Sequence, residues 1–310
     1  MIFAIRGVIV SLALFALLYG FLSVVLVLAW RCFGFSKLRK YFTADALFTL
    51  RVIPFVVSAA VSLFLTLPSF LLFEAHSMDE DLGTFVLGAC ALLFLGAGIY
   101  QVSATEVRTR RVVSACLGEG RPLESTAGTI TLVSPQTVAP LMLVGLRAPR
   151  ILISESARQL LSQTELEAAV RHETQHVRSH DNLRKAILSC LPFPGMASLE
   201  RAWQEAGEAA ADDGAVSSRN EALDLAAALI KLTRHFPRHA TPAFATGLVS
   251  VAGSVTTRVE RLLAWRESVE TRADRRPYAA FVAVAALLGL VAKLGPALML
   301  IHFLTERLVP

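Results

Sequence analysis

The feature that most constrains this chain is a set of four long stretches with almost no charge. Val8 to Trp30, Val52 to Phe73 and Leu82 to Val102 contain no charged residue, and Tyr278 to Leu304 contains one, Lys293. Each is close to the roughly 20 residues that a helix needs to cross a bilayer core. Core helices of soluble proteins normally keep a polar stripe, whereas these stretches are apolar all round, so four membrane spans are expected. Composition agrees: 54% of the 310 residues are hydrophobic, only 18% are charged, and mean hydropathy is +0.55. Such values are unusual for a soluble chain. Gly96, Gly98, Gly289, Gly295 and Pro296 would weaken isolated helices in water but are tolerated in spans. The first stretch is too long for the apolar part of a cleaved leader, and Arg31-Cys32-Phe33 is no small-residue cleavage site, so it is expected to remain as an anchor.

Charge in the connecting segments sets the orientation. Arg31, Lys37, Arg39, Lys40 and Arg51 lie between the first two stretches, whereas Glu74, Asp79, Glu80 and Asp81, with no Lys or Arg, lie between the second and third. By the positive-inside rule the first connection is cytoplasmic and the second is outside. Residues 103–277 then fall inside, flanked by Arg108, Arg110 and Arg111 at one end and Arg272, Arg275 and Arg276 at the other. The expected organisation is three transmembrane helices in residues 1–102 (about 8–30, 52–73 and 82–102), a cytoplasmic domain at 103–277, and a fourth helix with a short extracytoplasmic tail at 278–310. A multi-pass protein of a bacterial-type cytoplasmic (inner) membrane fits this pattern. The flanks account for much of the pI of 9.3 and net charge of +5. No basic stripe with interleaved aromatics points to direct nucleic-acid binding. Cys32, Cys90, Cys116 and Cys190 are too scattered for a disulfide framework or a metal cluster and read as ordinary buried thiols.

Within residues 103–277, short aliphatic runs at Thr129 to Val133, Leu141 to Val144 and Ile151 to Ile153, separated by Pro135, Gly145 and Pro149, predict a small sheet. Ser162-Gln163-Thr164-Glu165 has the form of a capping box, so a helix is expected to start there. Leu166, Ala169, Val170 and Val177 recur at helical spacing, and no Gly or Pro interrupts the chain before Pro192. Further helices are expected at about Ala197 to Val216, Glu221 to Arg234 and Val255 to Ser268.

The first of these helices carries His172-Glu173-Thr174-Gln175-His176. Residues four apart share a helix face at roughly 6 Å, so two imidazoles there can hold one zinc ion, while Glu173 reaches a water on that ion rather than the ion itself. His180 would lie about 12 Å along the axis from His172 on a straight helix, too far to join it, and reads as a surface or supporting residue. If the chain reverses at Pro192, His176 and Glu208 stand equally far from the turn, and an antiparallel helix pair brings them together. Glu208 is therefore the expected third ligand, with Glu205 in reserve. Asp212, one turn beyond Glu208, is placed to hydrogen-bond a ligand histidine. Asp181 and Asp213 are expected on solvated faces.

The runs VRHETQHVRSHDNL (Val170 to Leu183), EAAADDGAV (Glu208 to Val216), GLRAPRILIS (Gly145 to Ser154) and RVERLL (Arg258 to Leu263) together resemble the BlaR/MecR-type membrane metallopeptidases that sense β-lactams. The resemblance covers most of the chain, including three spans before the protease domain and one after it. It implies an α-helical membrane protein with four transmembrane helices and an α+β zincin-like (gluzincin-type) cytoplasmic metalloprotease domain. It also implies zinc on His172, His176 and Glu208, with Glu173 as general base. The receptors of that family continue into an extracellular penicillin-binding domain, whereas this sequence ends at Pro310, so direct β-lactam sensing is not expected. A shorter pattern of the same type occurs in the CAAX prenyl endopeptidases, which keeps that branch open.

The expected function is zinc-dependent cleavage of a cytoplasmic or membrane-associated protein in regulatory or signalling proteolysis. A transcriptional repressor is the partner class that the resemblance suggests. The substrate is expected to lie extended against an edge strand, with Leu141 to Val144 or Ile151 to Ile153 as candidates. A non-catalytic zinc-binding scaffold or signal transducer is the alternative. Lys293, deep in the fourth stretch, is the main feature favouring transport, but no intramembrane carboxylate accompanies it.

Overall fold

A computed structural model describes residues 2–32, 42–73, 82–119, 121–123, 131–134, 140–146, 148–236, 245–247, 255–266, 299–301, 303, 304 and 307. The chain divides into two compact units: Met1–Ile99 with Leu191–Leu199 and Ala273–Pro310, and Tyr100–Cys190 with Glu200–Arg272.

The first unit is built on long apolar helices: α1 (Ile2–Cys32), α2 (Ala44–Val61) leading through a π-helical turn at Ser62–Thr66 into α3 (Leu67–Phe73), and α4 (Leu82–Glu119), which runs on beyond this unit. The wide turn precedes Pro68, whose ring and missing N–H bar an ordinary helical bond back to Phe64. Three stretches, Ile5–Cys32, Ala44–Phe73 and Leu82–Arg111, are long and apolar enough to cross a membrane. Most of the fourth expected span lies outside the described residues, which take it up again only as helix at Met299 to Ile301.

Phe15, Tyr19, Phe55, Phe94 and Phe193 form an aromatic cluster among these helices. The Tyr19 hydroxyl donates to the Leu191 carbonyl at 3.2 Å. Arg51, fully buried on α2, donates to the same carbonyl. Arg51 is thus an internal anchor for Leu191–Leu199, not a free loop charge. Cys32 and Cys90 are exposed and Cys190 half-buried, so these three are not the buried thiols expected.

The second unit holds a five-stranded sheet of β1 (Arg121–Leu123), β2 (Thr131–Ser134), β3 (Leu141–Val144), β4 (Arg150–Ser154) and β5 (Ala245–Gly247), in the order β1-β2-β4-β3-β5. Only β2 and β4 pair in parallel. Leu141, Leu143, Ile151 and Ile153 pack on helices, while Met142 and Leu152 are also buried, so β3 and β4 read as unbroken apolar runs. Both strands are interior. β5 covers the free side of β3, and this overturns the expectation that either might offer an edge to a substrate. Gly145 turns the chain from β3 toward β4 with φ +96°, and a Cβ there would meet the Ala148 carbonyl oxygen at 3.0 Å.

Ser154 caps α5 (Glu155–Leu160), and the Ser162–Glu165 capping box starts α6 (Gln163–Arg178) as expected. The remaining helices are α7 (Asp181–Cys190), α8 (Ala197–Ala215), α9 (Arg219–His235) and α10 (Val255–Leu263). Leu166 and Val170 of α6, Leu225, Leu229 and Leu232 of α9 and Leu262 of α10 close the core over the sheet. Each fully buried aliphatic side chain there contributes about 1.5–3 kcal/mol.

The last cytoplasmic helix ends at Leu263, short of the expected Ser268, and a larger departure lies upstream. The run from Ser162 toward Pro192 is two helices, broken where His180 adopts φ 54°. His is among the side chains that tolerate this left-handed region. The reason for the break is tertiary: Asn182 Nδ2 donates to the Gly145 carbonyl at 3.1 Å, tying the start of α7 to the end of β3.

Candidate metal centre

Residues 172, 173 and 176 lie on the last two turns of α6, and residues 208 and 212 one turn apart on α8. All five are buried, with His172 and Glu173 showing no exposed surface. The Nε2 atoms of His172 and His176 face each other at 3.1 Å. Glu208 presents its carboxylate to both, with Oε2 3.6 Å from His172 Nε2 and Oε1 3.8 Å from His176 Nε2. Among the described residues, this is the set of His, Cys, Asp and Glu side chains that converges closely enough to hold one metal ion. A tetrahedral ion with ligands at about 2.0–2.1 Å separates its donor atoms by roughly 3.3 Å, which these distances approach.

Both imidazoles are oriented from behind. His172 Nδ1 lies 3.0 Å from Asp212 Oδ1, and His176 Nδ1 lies 2.5 Å from Asp181 Oδ2. A carboxylate at Nδ1 favours the proton there, which leaves both Nε2 lone pairs pointing at one spot. Two facing lone pairs repel, and a cation between them removes the repulsion. That arrangement, with Glu208 on the third side, fits a resident metal ion.

Asp181 is a correction to the sequence reading: it is buried against His176, not solvated. Asp213 is exposed as expected and pairs with Arg261 at 2.9 Å. His180 is exposed and shapes the backbone. The reserve candidate Glu205 is half-buried and lies outside the converging set.

Two cations escaped notice. Arg258, buried on α10, donates from Nε and Nη2 to the two Asp212 oxygens at 2.9 and 2.6 Å and lies with Nη1 2.8 Å from Glu208 Oε2. The run around Arg258 was visible in the sequence, but nothing local tied it to residues 46 and 50 positions earlier. Lys185 on α7 feels Glu208, Asp181 and Glu173, and burial lowers its ammonium pKa.

The electrostatics follow from burial opposed by partners. Burial raises Glu208, but Arg258 and the two histidines outweigh it and hold the carboxyl at about 2. Asp212 is likewise held well below the ordinary range, by His172 and Arg258 against burial. For His172 burial favours the neutral ring, yet hydrogen bonds to Asp212 and Glu208 raise its pKa. Glu173 is the exception. Burial pushes it up to about 8, with Glu208 adding to the rise against His176, Lys185 and Arg258, and neither of its oxygens has a hydrogen-bond partner. A buried carboxyl without a partner beside a converging ligand set is placed for proton transfer.

Beside His176, a cavity of about 140 Å³ opens between the β3–β4 turn and the α6–α7 junction, lined by Leu143, Leu146, Pro149, Val177 and Leu183 among others. No curated protein matches the chain. The family model described as BlaR1 peptidase M56 matches residues 84–262, from α4 through the sheet and the convergent histidines to the Arg258 helix, and the chain belongs to that family of membrane-associated metallopeptidases.

Proposed function

We propose that this chain is a zinc-dependent endopeptidase of the cytoplasmic membrane, with four spans and its zincin-like domain facing the cytoplasm. His172, His176 and Glu208 would hold the metal, Asp212 and Asp181 would orient the two histidines, and Glu173 would act as general base. One observation carries the reading: two oriented Nε2 atoms 3.1 Å apart, flanked by the Glu208 carboxylate and by a buried Glu173 without a partner.

When bound, the metal would supply Lewis-acid polarisation of the scissile carbonyl and of a water. Glu173 would take the proton of the attacking water and return it to the departing amine. Its raised pKa suits both tasks, because a carboxyl that titrates near neutrality accepts and returns a proton with little penalty. Asp212 and Asp181 keep the Nδ1 protons in place, so the imidazoles offer their lone pairs throughout. Arg258 keeps Glu208 and Asp212 ionised. A cytoplasmic or membrane-associated protein is the substrate, and a transcriptional repressor cut in regulatory proteolysis is the form that family membership favours.

The test is a comparison of cellular proteomes with wild-type protein and Glu173→Gln, which keeps the size of the side chain but cannot take a proton. Cleaved termini present with wild type should vanish with the variant, while its bound zinc remains. Termini unchanged by the substitution would leave only a metal-binding scaffold or signal transducer.

A further inference from the structure

We infer that Arg258 is a positioning residue of the metal centre: its guanidinium holds the Glu208 carboxylate in place beside the two imidazoles and locks Asp212 behind His172. The inference rests on the reading of His172, His176 and Glu208 as metal ligands.

Arg258 arrives from α10, 46 residues beyond Asp212, and is 7% exposed. Its fork grips both Asp212 oxygens, and Nη1 lies 2.8 Å from Glu208 Oε2, while Oε2 and Oε1 stay 3.6 Å from His172 Nε2 and 3.8 Å from His176 Nε2. One planar group thus sets the angle between two carboxylates on successive turns of α8. Only the guanidinium offers three such donors in a rigid plane; a lysine supplies the charge from a single nitrogen.

A purely structural role for the pair explains less. Arg261, one turn nearer the surface, already ties α10 to α8 through Asp213 at 2.9 Å and the Ala209 carbonyl at 2.7 Å, reaching Asp212 Oδ2 only at 3.5 Å, and Leu262 packs into the core. A buried ion pair is in general weak evidence for stability. Arg258 also stands with Nη2 3.5 Å from His172 Nε2. A cation so close opposes a second positive charge by repulsion, and its place there is understandable if what it contributes is ligand orientation.

Repulsion and orientation act in opposite directions on metal affinity, so the informative variant keeps the charge and removes the fork. Zinc affinity of the full chain in detergent micelles, measured by competition with a chromophoric chelator, should fall about 10- to 100-fold in Arg258→Lys. Cobalt(II) in the same variant should show altered ligand-field absorption as Glu208 loses its fixed orientation. Arg261→Lys, which at the centre gives up only the 3.5 Å contact with Asp212, should lose much less. Wild-type affinity and spectrum in Arg258→Lys, or an equal loss in Arg261→Lys, would overturn the inference. A metal-free Arg258→Lys chain that keeps the wild-type unfolding temperature while losing zinc affinity supports the inference; an equal drop in both overturns it. The underlying reading fails separately, if zinc affinity is indifferent to His172→Ala and His176→Ala.

Discussion

A carboxyl with no exposed surface and no hydrogen-bond partner opposes folding, and Glu173 is such a group. Its pKa is raised from 4.5 to about 8 in the folded chain, so between those values the unfolded chain has released a proton that the folded chain still holds. Stability therefore falls as pH rises through this window, by on the order of a few kcal/mol from this residue alone. His172, whose folded pKa is also raised, contributes stability below its unfolded value and loses it as pH rises, in the same direction. In chelator-treated protein, thermal unfolding should thus shift to lower temperature from about pH 4.5 to 8, and Glu173→Gln should flatten much of that slope while leaving the His172 part. Equal slopes for the two proteins would mean that Glu173 is ionised where it lies. His172, Glu173 and His176 were legible in the sequence because helical spacing alone groups them, whereas Glu208 was reached from its distance to a reversal at Pro192, a count that took no account of the break at His180. Asp181 was not legible, because it reaches His176 only after His180 turns left-handed, and that turn answers to Asn182 and the end of β3.

The two helices that carry the centre approach closely where α8 has no side chain. Gln175 Nε2 donates to the Gly214 carbonyl at 2.6 Å, and a Cβ on Gly214 would lie 2.8 Å from the Gln175 Cδ. Gly214→Val would push Gln175 off that bond and α8 away from α6, which moves Glu208 relative to the imidazoles. On propensity alone the change is neutral or favourable in a helix, so the sign is diagnostic. The expected result is a loss of about 1–3 kcal/mol in denaturant titrations together with weaker zinc retention; a stabilised variant would show that the contact yields freely. Elements bounded by their own chemistry were the readable ones. The α6 capping box, the apolar run of β3 and the α8 start at Ala197 fall where the sequence puts them. The three-residue strands β1 and β5 escaped, since so short a segment takes its conformation from its neighbour. With β5 unseen, β3 could not be recognised as an interior strand.

At the scale of the molecule, the same chain must keep long apolar helices in lipid and a buried, charged centre in water. The first unit holds three helices long enough to span, and the chain returns to it at Leu191–Leu199, where Tyr19 and Arg51 share one carbonyl. Because Arg51 is committed to that bond, it is discounted from the positive-inside comparison. The first connection still holds Arg31, Lys37, Arg39 and Lys40 against four acids and no Lys or Arg in the second, and exposed Arg108, Arg110 and Arg111 close the third apolar stretch on α4. Alkaline phosphatase, which is active only when exported, reports the consequence. Fusions after Lys40 and Arg266 should be inactive and a fusion after Ser77 active. A fusion after Leu308 should be active too if the fourth stretch crosses, since translocation then carries the reporter out despite Lys293. Activity after Arg266 would put the centre on the far side of the membrane and remove a cytoplasmic repressor from reach. Inactivity after Leu308, with the other three as expected, would reduce the spans to three without moving the metal centre.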